Sequence, residues 1–231
     1  MDKRNLFYGG ILSLLLYLAA DIIGGVLTPG YSFKEQAVSE LMLVGSEYRM
    51  LVSALIFTSA LAGIAFGVGI VLHFDHRRSR LLFFGGILFM VSALSTCLTS
   101  TIFPQDPIDG EVTFAGTMHL TLVGINVVIS IVFILMFGIG LNKEFGWKAF
   151  RLYSIITLFI MGIFGVVSTV AVQNDVPILG VTERVSIYAF FVWAAVMAWL
   201  LLKKGTEPHL GEVPTGEGES GHSEDGTNSS L

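Results

Sequence analysis

Six apolar stretches, each long enough to cross a bilayer, leave this chain little choice of fold. They run approximately over 6–28, 50–72, 81–102, 117–141, 152–172 and 184–202. At 1.5 Å of rise per residue, about 20 helical residues cover a hydrocarbon core roughly 30 Å thick. Inside that core a backbone N–H or C=O has no water to bond, so each segment must satisfy its own backbone as an α-helix. Composition fits this reading: 53% of residues are hydrophobic and 13% charged, with a mean hydropathy of +0.76, outside the range of ordinary soluble domains. The expected fold is all-α, a polytopic membrane protein with a six-transmembrane-helix bundle over 1–204. A tail over 205–231 is rich in Gly, Glu and Ser with almost no large apolar residue, and is expected to be acidic and disordered.

The first segment follows Lys3 and Arg4 and contains Asp21. It is longer than a signal-peptide core and has no obvious small-residue cleavage site, so it reads as a retained span. Ten of the thirteen Lys and Arg residues fall on one side if the N-terminus is inside: Lys3, Arg4, Arg77, Arg78, Arg80, Lys143, Lys148, Arg151, Lys203 and Lys204. Lys34, Arg49 and Arg184 fall on the other. The positive-inside rule then makes both termini cytoplasmic and the protein a multi-pass component of the plasma membrane, with membrane lipids as its immediate partners. The charge is not basic enough to suggest nucleic acid. The lone Cys97 excludes an intrachain disulfide and reads as a small buried hydrophobe. His73 and His76 flank Asp75 beside three arginines, which would repel a cation, so no metal and no cofactor is expected.

Chemistry is more plausible on the acidic side. The loop 99–119 holds Pro104, Asp106, Pro107, Asp109 and His119 and has no Lys or Arg. Pro104 and Pro107 stop the preceding helix and hold Asp106 in a turn. Asp109-Gly110 is an ordinary turn signal. His119 opens the fourth span, and Glu183-Arg184 opens the sixth. Successive helical residues point about 100° apart, so Glu183 and Arg184 should bond different partners, with Asp21 or Asp106 suited to the guanidinium. Asp21 lies inside the first span, where a carboxylate is costly and must face protein or water. In the loop 29–49, Phe33, Ala37, Val38, Leu41 and Met42 recur at helical spacing. A short interfacial helix over about 33–45 is therefore expected, with Lys34, Glu35, Ser39 and Glu40 on its polar face. Gly63, Gly67 and Gly69 of the second span, with Gly162 and Gly165 of the fifth, offer small-residue packing faces.

Asp21, Glu40, Asp106, His119, Glu183 and Arg184 thus gather at one membrane boundary as candidate ligand-binding residues. Three functions compete. A pocket there could bind a lipid headgroup or small polar solute. A lipid hydrolase could pair Asp106 or Glu183 with His119 as acid and base, with Ser39 as nucleophile. The cluster could instead only lock the spans together.

The same residues resemble the DUF998-type family of six-span bacterial and archaeal membrane proteins. The resemblance rests on Asp21, Ser39-Glu40-Leu41, Phe103-Pro104-x-Asp106, His119 and Gly180-x-x-Glu183-Arg184, and covers residues 6 to about 202. It implies a six-helix integral membrane protein in which these polar positions belong together, with no established biochemical function. The pattern is also loosely similar to membrane hydrolases that join Ser, Asp and His at one membrane face, without the paired histidines of their zinc site.

Overall fold

A computed structural model of the protein describes residues 3–74, 76–77, 79–107 and 110–203. The tail 205–231, Lys204, Asp75 and Asp109 lie outside the described residues. The chain folds into six long helices: α1 Tyr8–Leu27, α2 Arg49–His73, α3 Arg80–Thr101, α4 Phe114–Phe145, α5 Lys148–Gln173 and α6 Leu179–Lys203. All six are long and apolar enough to cross a membrane, and there is no strand among the described residues. α4 is the longest, about 48 Å at 1.5 Å per residue. Thr113 caps its start by accepting from Gly116 N at 3.1 Å, and Gly146 ends it with a left-handed φ of 66°.

Each helix packs against its neighbours in sequence, and α6 returns to α1 to close a ring. Arg4 donates to the Leu202 carbonyl at 2.8 Å, so both ends of the described chain lie on one face, here the terminal face. The connecting residues 28–48, 102–107, 110–113 and 174–178 share the opposite, loop face. Toward the terminal face the ring is filled. Phe66, Phe89, Phe133, Phe137, Trp193 and Leu201 form a fully packed core there. Phe133 and Trp193 reach across the ring with centroids 6.1 Å apart, and Trp193 also donates to Ser154 Oγ at 2.9 Å. A smaller core of Tyr17, Ala20, Val38, Leu41, Val52 and Ile56 lies toward the loop face. Cys97 is buried. The perimeter is apolar: Leu15, Ile22, Val26, Phe159, Ile163 and Val166 all point outward. In water such a belt would aggregate, whereas in hydrocarbon it is solvated.

Two local expectations are corrected. The segment expected to be an interfacial helix over 33–45 forms a 3-10 helix over Val38–Met42 only. Ala37 is extended, with ψ of 154°, and the carbonyls of Phe33 and Gln36 turn to Arg184 instead of to a helical N–H. Glu40, placed on the polar face in sequence, is buried. Val38, Leu41 and Met42 pack into the bundle, so the segment lies over the ring as a strap. Gly63 and Gly67 do sit against α3, facing Ala93 and the Gly86 carbonyl. Gly162 and Gly165 have open space where a Cβ would stand, and make no packing face within the bundle.

Candidate functional site

Arg184 ties the loop face together. Its Nε donates to Asp21 Oδ2 at 3.0 Å, and Nη2 to Asp21 Oδ1 at 2.8 Å, a bidentate ion pair between α6 and α1. Asp21 is 1% exposed, so its charge is compensated at close range, as burial demands. Tyr188, one turn beyond Arg184, donates its hydroxyl to Asp21 Oδ2 as well. The rest of the guanidinium holds the strap. Nη1 donates to the carbonyls of Phe33 at 2.8 Å, Gln36 at 2.9 Å and Gly180 at 2.9 Å. Nη2 donates to Tyr31 Oη at 2.5 Å, and the Tyr31 hydroxyl donates in turn to the Ala37 carbonyl at 2.8 Å. Burial pushes the Tyr31 hydroxyl up to about 12 despite the adjacent guanidinium, so it remains a donor at any physiological pH.

The two glutamates act on the same strap. Glu40 accepts from Ala37 N at 2.8 Å and Gln36 Nε2 at 3.1 Å, fixing the turn that precedes it. Glu183 Oε2 accepts from Val38 N at 2.9 Å. Adjacent Glu183 and Arg184 therefore do serve different partners, as their helical geometry requires.

Asp106 does not join this group. It accepts from Thr113 N at 2.7 Å and Thr113 Oγ1 at 2.7 Å, extending the cap of α4 across the loop. The Thr113 backbone N–H, then its hydroxyl, hold the Asp106 carboxyl below the usual carboxylate range. Since folding lowers this pKa, the contribution is present above the unfolded value of about 3.9 and is lost as pH falls through the lower folded value. Thermal stability in detergent should therefore drop on acidification below about pH 4, and Asp106→Asn should flatten that part of the profile. An unchanged profile in the variant would remove Asp106 from the cap. Gly116 leaves the space for this carboxylate, which a Cβ there would strike.

His119 is 4% exposed and lies one loop away from Asp106. Its Nδ1 is 2.9 Å from the Phe103 carbonyl. A carbonyl only accepts, so Nδ1 carries a proton and donates it to that hydrogen bond. Nε2 has no hydrogen bond among the described residues, and His119 lines a cavity.

That cavity lies within the ring below the strap and encloses about 250 Å³. Ser39 and Met42 of the strap line it, with His119, Glu183, and residues from every helix of the ring. Phe89, Phe190 and Phe191 contribute aromatic surface. A hydroxyl stripe on α3 (Ser92, Ser95, Thr96 and Thr99) faces His119, Asn126 and Ser130 of α4. The steps of three and four residues place each set on one helical face. Ser95 is 7% exposed, yet its Oγ has no hydrogen-bond partner, and neither has Asn126 Oδ1.

The six candidate ligand-binding residues and Ser39 thus separate into three places. Asp21, Glu40 and Arg184 latch the strap; His119 and Ser39 face the cavity; Glu183 belongs to both. Asp106 builds the loop between α3 and α4. Sequence reasoning missed Tyr31, Tyr188 and the α3–α4 polar stripe. Tyr188 was within reach at four residues from Arg184, and Ser92-Ser95-Thr99 at helical spacing. Tyr31, in an irregular loop, gave no periodic signal.

No curated protein and no solved structure matches the chain. Residues 11–200 match the family described as protein of unknown function (DUF998), a span that takes in all six helices, the latch and the cavity. The chain belongs to that family, and its six apolar helices make it a multi-pass membrane protein.

Proposed function

We propose that the protein resides in the plasma membrane with both termini cytoplasmic and the loop face outside, and that its cavity binds a small polar solute or a lipid headgroup. The orientation is supported by the ten-to-three division of Lys and Arg. An impermeant maleimide should label Lys34→Cys in intact cells if the loop face is outside, with Cys97 silent because it is buried. Binding is supported by the cavity itself: about 250 Å³, well above the roughly 150 Å³ that suffices for benzene, with Glu183, His119 and Asn126 among the residues that line it.

A hydrolase would need His119 in hydrogen-bond contact with Ser39 or a carboxylate. Its Nδ1 is committed to the Phe103 carbonyl and Nε2 contacts neither group, which favours binding over acyl transfer. A purely structural network accounts for the latch around Arg184 but leaves the cavity unexplained.

Native mass spectrometry of the full chain in lipid nanodiscs tests the binding reading. Wild type should carry, or be stabilised by, a small polar molecule or headgroup that Ser95→Leu excludes by filling the cavity. A wild type that holds nothing, and is stabilised by no member of a panel of polar solutes and headgroup analogues, would overturn it.

A further inference from the structure

We propose that the ligand is an amphipathic organic amine, its protonated nitrogen held at Glu183 and its apolar body against Phe190 and Phe191. The inference rests on the cavity-binding reading above and names the ligand class. Charge comes first. The cavity wall contains one carboxylate, Glu183, and no Lys or Arg. Arg184 is already committed to Asp21. Glu183 and Glu40 have no ion-pair partner among the described residues, so of the three carboxylates that hold the strap and its latch only Asp21 is ion-paired. An anion entering here would meet negative charge, whereas a cation would supply the missing positive one.

Hydrogen-bonding polarity agrees. Glu183 can only accept, and its second carboxylate oxygen has no hydrogen bond among the described residues. An ammonium donor complements it.

Shape sets the rest. Glu183, Ile187, Phe190 and Phe191 share one face of α6 and all line the cavity. Seven residues separate Glu183 from Phe190, a rise of about 10 Å. The ligand is therefore head-and-tail, with an ammonium at one end and a hydrocarbon or aryl group roughly two helical turns away. Phe190 stacks on Phe89 at 6.1 Å and Phe191 on Tyr17 at 4.4 Å, giving that tail rigid aromatic walls. A free amine and an aminophospholipid headgroup share this chemistry.

Calorimetric titration of the full chain in phosphatidylglycerol nanodiscs decides it, with empty nanodiscs subtracted. The probes are 4-phenylbutylammonium, whose extended chain places the far edge of its ring near the Phe190 level, its neutral isostere 4-phenylbutanol, and the anion 5-phenylpentanoate. The ammonium should bind at least tenfold more tightly than the alcohol, and the anion most weakly. Glu183→Gln, which keeps an acceptor for Val38 N, should erase the preference for the ammonium. Ser95→Leu should weaken the ammonium at least fivefold, separating the cavity from adsorption to headgroups. Nanodiscs of phosphatidylethanolamine should weaken the free amine only if that headgroup competes for the site. Equal binding of ammonium and alcohol, tightest binding of the anion, a preference retained in Glu183→Gln, no effect of Ser95→Leu, or no binding of any probe would each overturn the assignment. If Glu183→Gln does not fold, the wild-type ranking and Ser95→Leu decide alone. The broader binding reading stands or falls separately, on whether wild type carries a ligand in the mass spectrum.

Discussion

Arg184→Ala is expected to destabilise the fold by about 3–5 kcal/mol, the range for removing one partner of a buried ion pair. The loss is large because of what remains. Asp21, at 1% exposure, would be left with only the Tyr188 hydroxyl as a hydrogen-bond partner. The carbonyls of Phe33 and Gln36, 2.8 and 2.9 Å from Nη1, would lose their donor, and the strap its anchor. Arg184→Lys should recover little. A single ammonium has three donors and cannot serve a carboxylate, a phenol oxygen and three carbonyls spread around a planar fork. Asp21→Asn should cost less, because the amide oxygen still accepts from the guanidinium. Removing both charges together in Asp21→Asn/Arg184→Met should cost less than the two single losses combined, since neither is then left buried alone. Unfolding midpoints in detergent give these values. An Arg184→Ala shift under about 0.5 kcal/mol would mean the pair is no more than a surface contact.

The latch and the cavity share the strap. Residues 33, 36 and 38 are held from α6, by Arg184 and Glu183. Ser39 and Met42, next along the chain, line the cavity. The Asp21–Arg184 pair therefore acts on the cavity at one remove, by fixing the strap that lines it. This also explains why Glu183 can serve both: Oε2 takes the Val38 N–H, leaving the other carboxylate oxygen unbonded among the described residues.

What the sequence revealed and what it hid have the same physical origin. Hydrocarbon allows a single backbone solution, so the six helices follow from hydropathy, with ends within a few residues. α5 and α6 begin earliest relative to expectation, at Lys148 and Leu179, and in α6 Gly180 and Thr182 are buried in the first turn. The pairing of Asp21 with Arg184 follows from the need to neutralise a carboxylate inside a span. The strap escaped because its Phe33, Val38, Leu41 and Met42 mimic helical spacing, while tertiary contacts to Arg184 claim the carbonyls that a helix needs. Asp106 was grouped with Arg184 because both lie at the same depth. Depth alone does not say which neighbour is closest, and Thr113, seven residues on, reaches it first.

Gly180→Ala gives the strongest steric test of this arrangement, because two effects oppose each other at one position. Helix propensity alone favours alanine over glycine by about 1 kcal/mol. A Cβ at Gly180, however, would stand 2.6 Å from the Phe33 carbonyl oxygen and 2.8 Å from Arg184 Nη1, and closer still to the Gln36 carbonyl. These are not flexible ends that can swing away. Two are backbone oxygens already bonded to Arg184, and Val181 N donates to the Lys34 carbonyl at 3.1 Å, binding the strap to the same turn. Relief therefore requires breaking the strap away from α6. Overpacking of this kind costs about 1–3 kcal/mol, and the lost hydrogen bonds add about 1 kcal/mol each, so the steric term wins and the variant should be destabilised by at least about 2 kcal/mol. Gly162→Ala is the matched control. Nothing lies within 4 Å of its Cβ position, so propensity acts alone and the variant should be neutral or slightly more stable. Limited proteolysis should cut Gly180→Ala within 31–42 while leaving Gly162→Ala and wild type intact there. If the two alanine variants unfold at the same midpoint, the strap does not rest on α6, and the latch at Arg184 is not built this way.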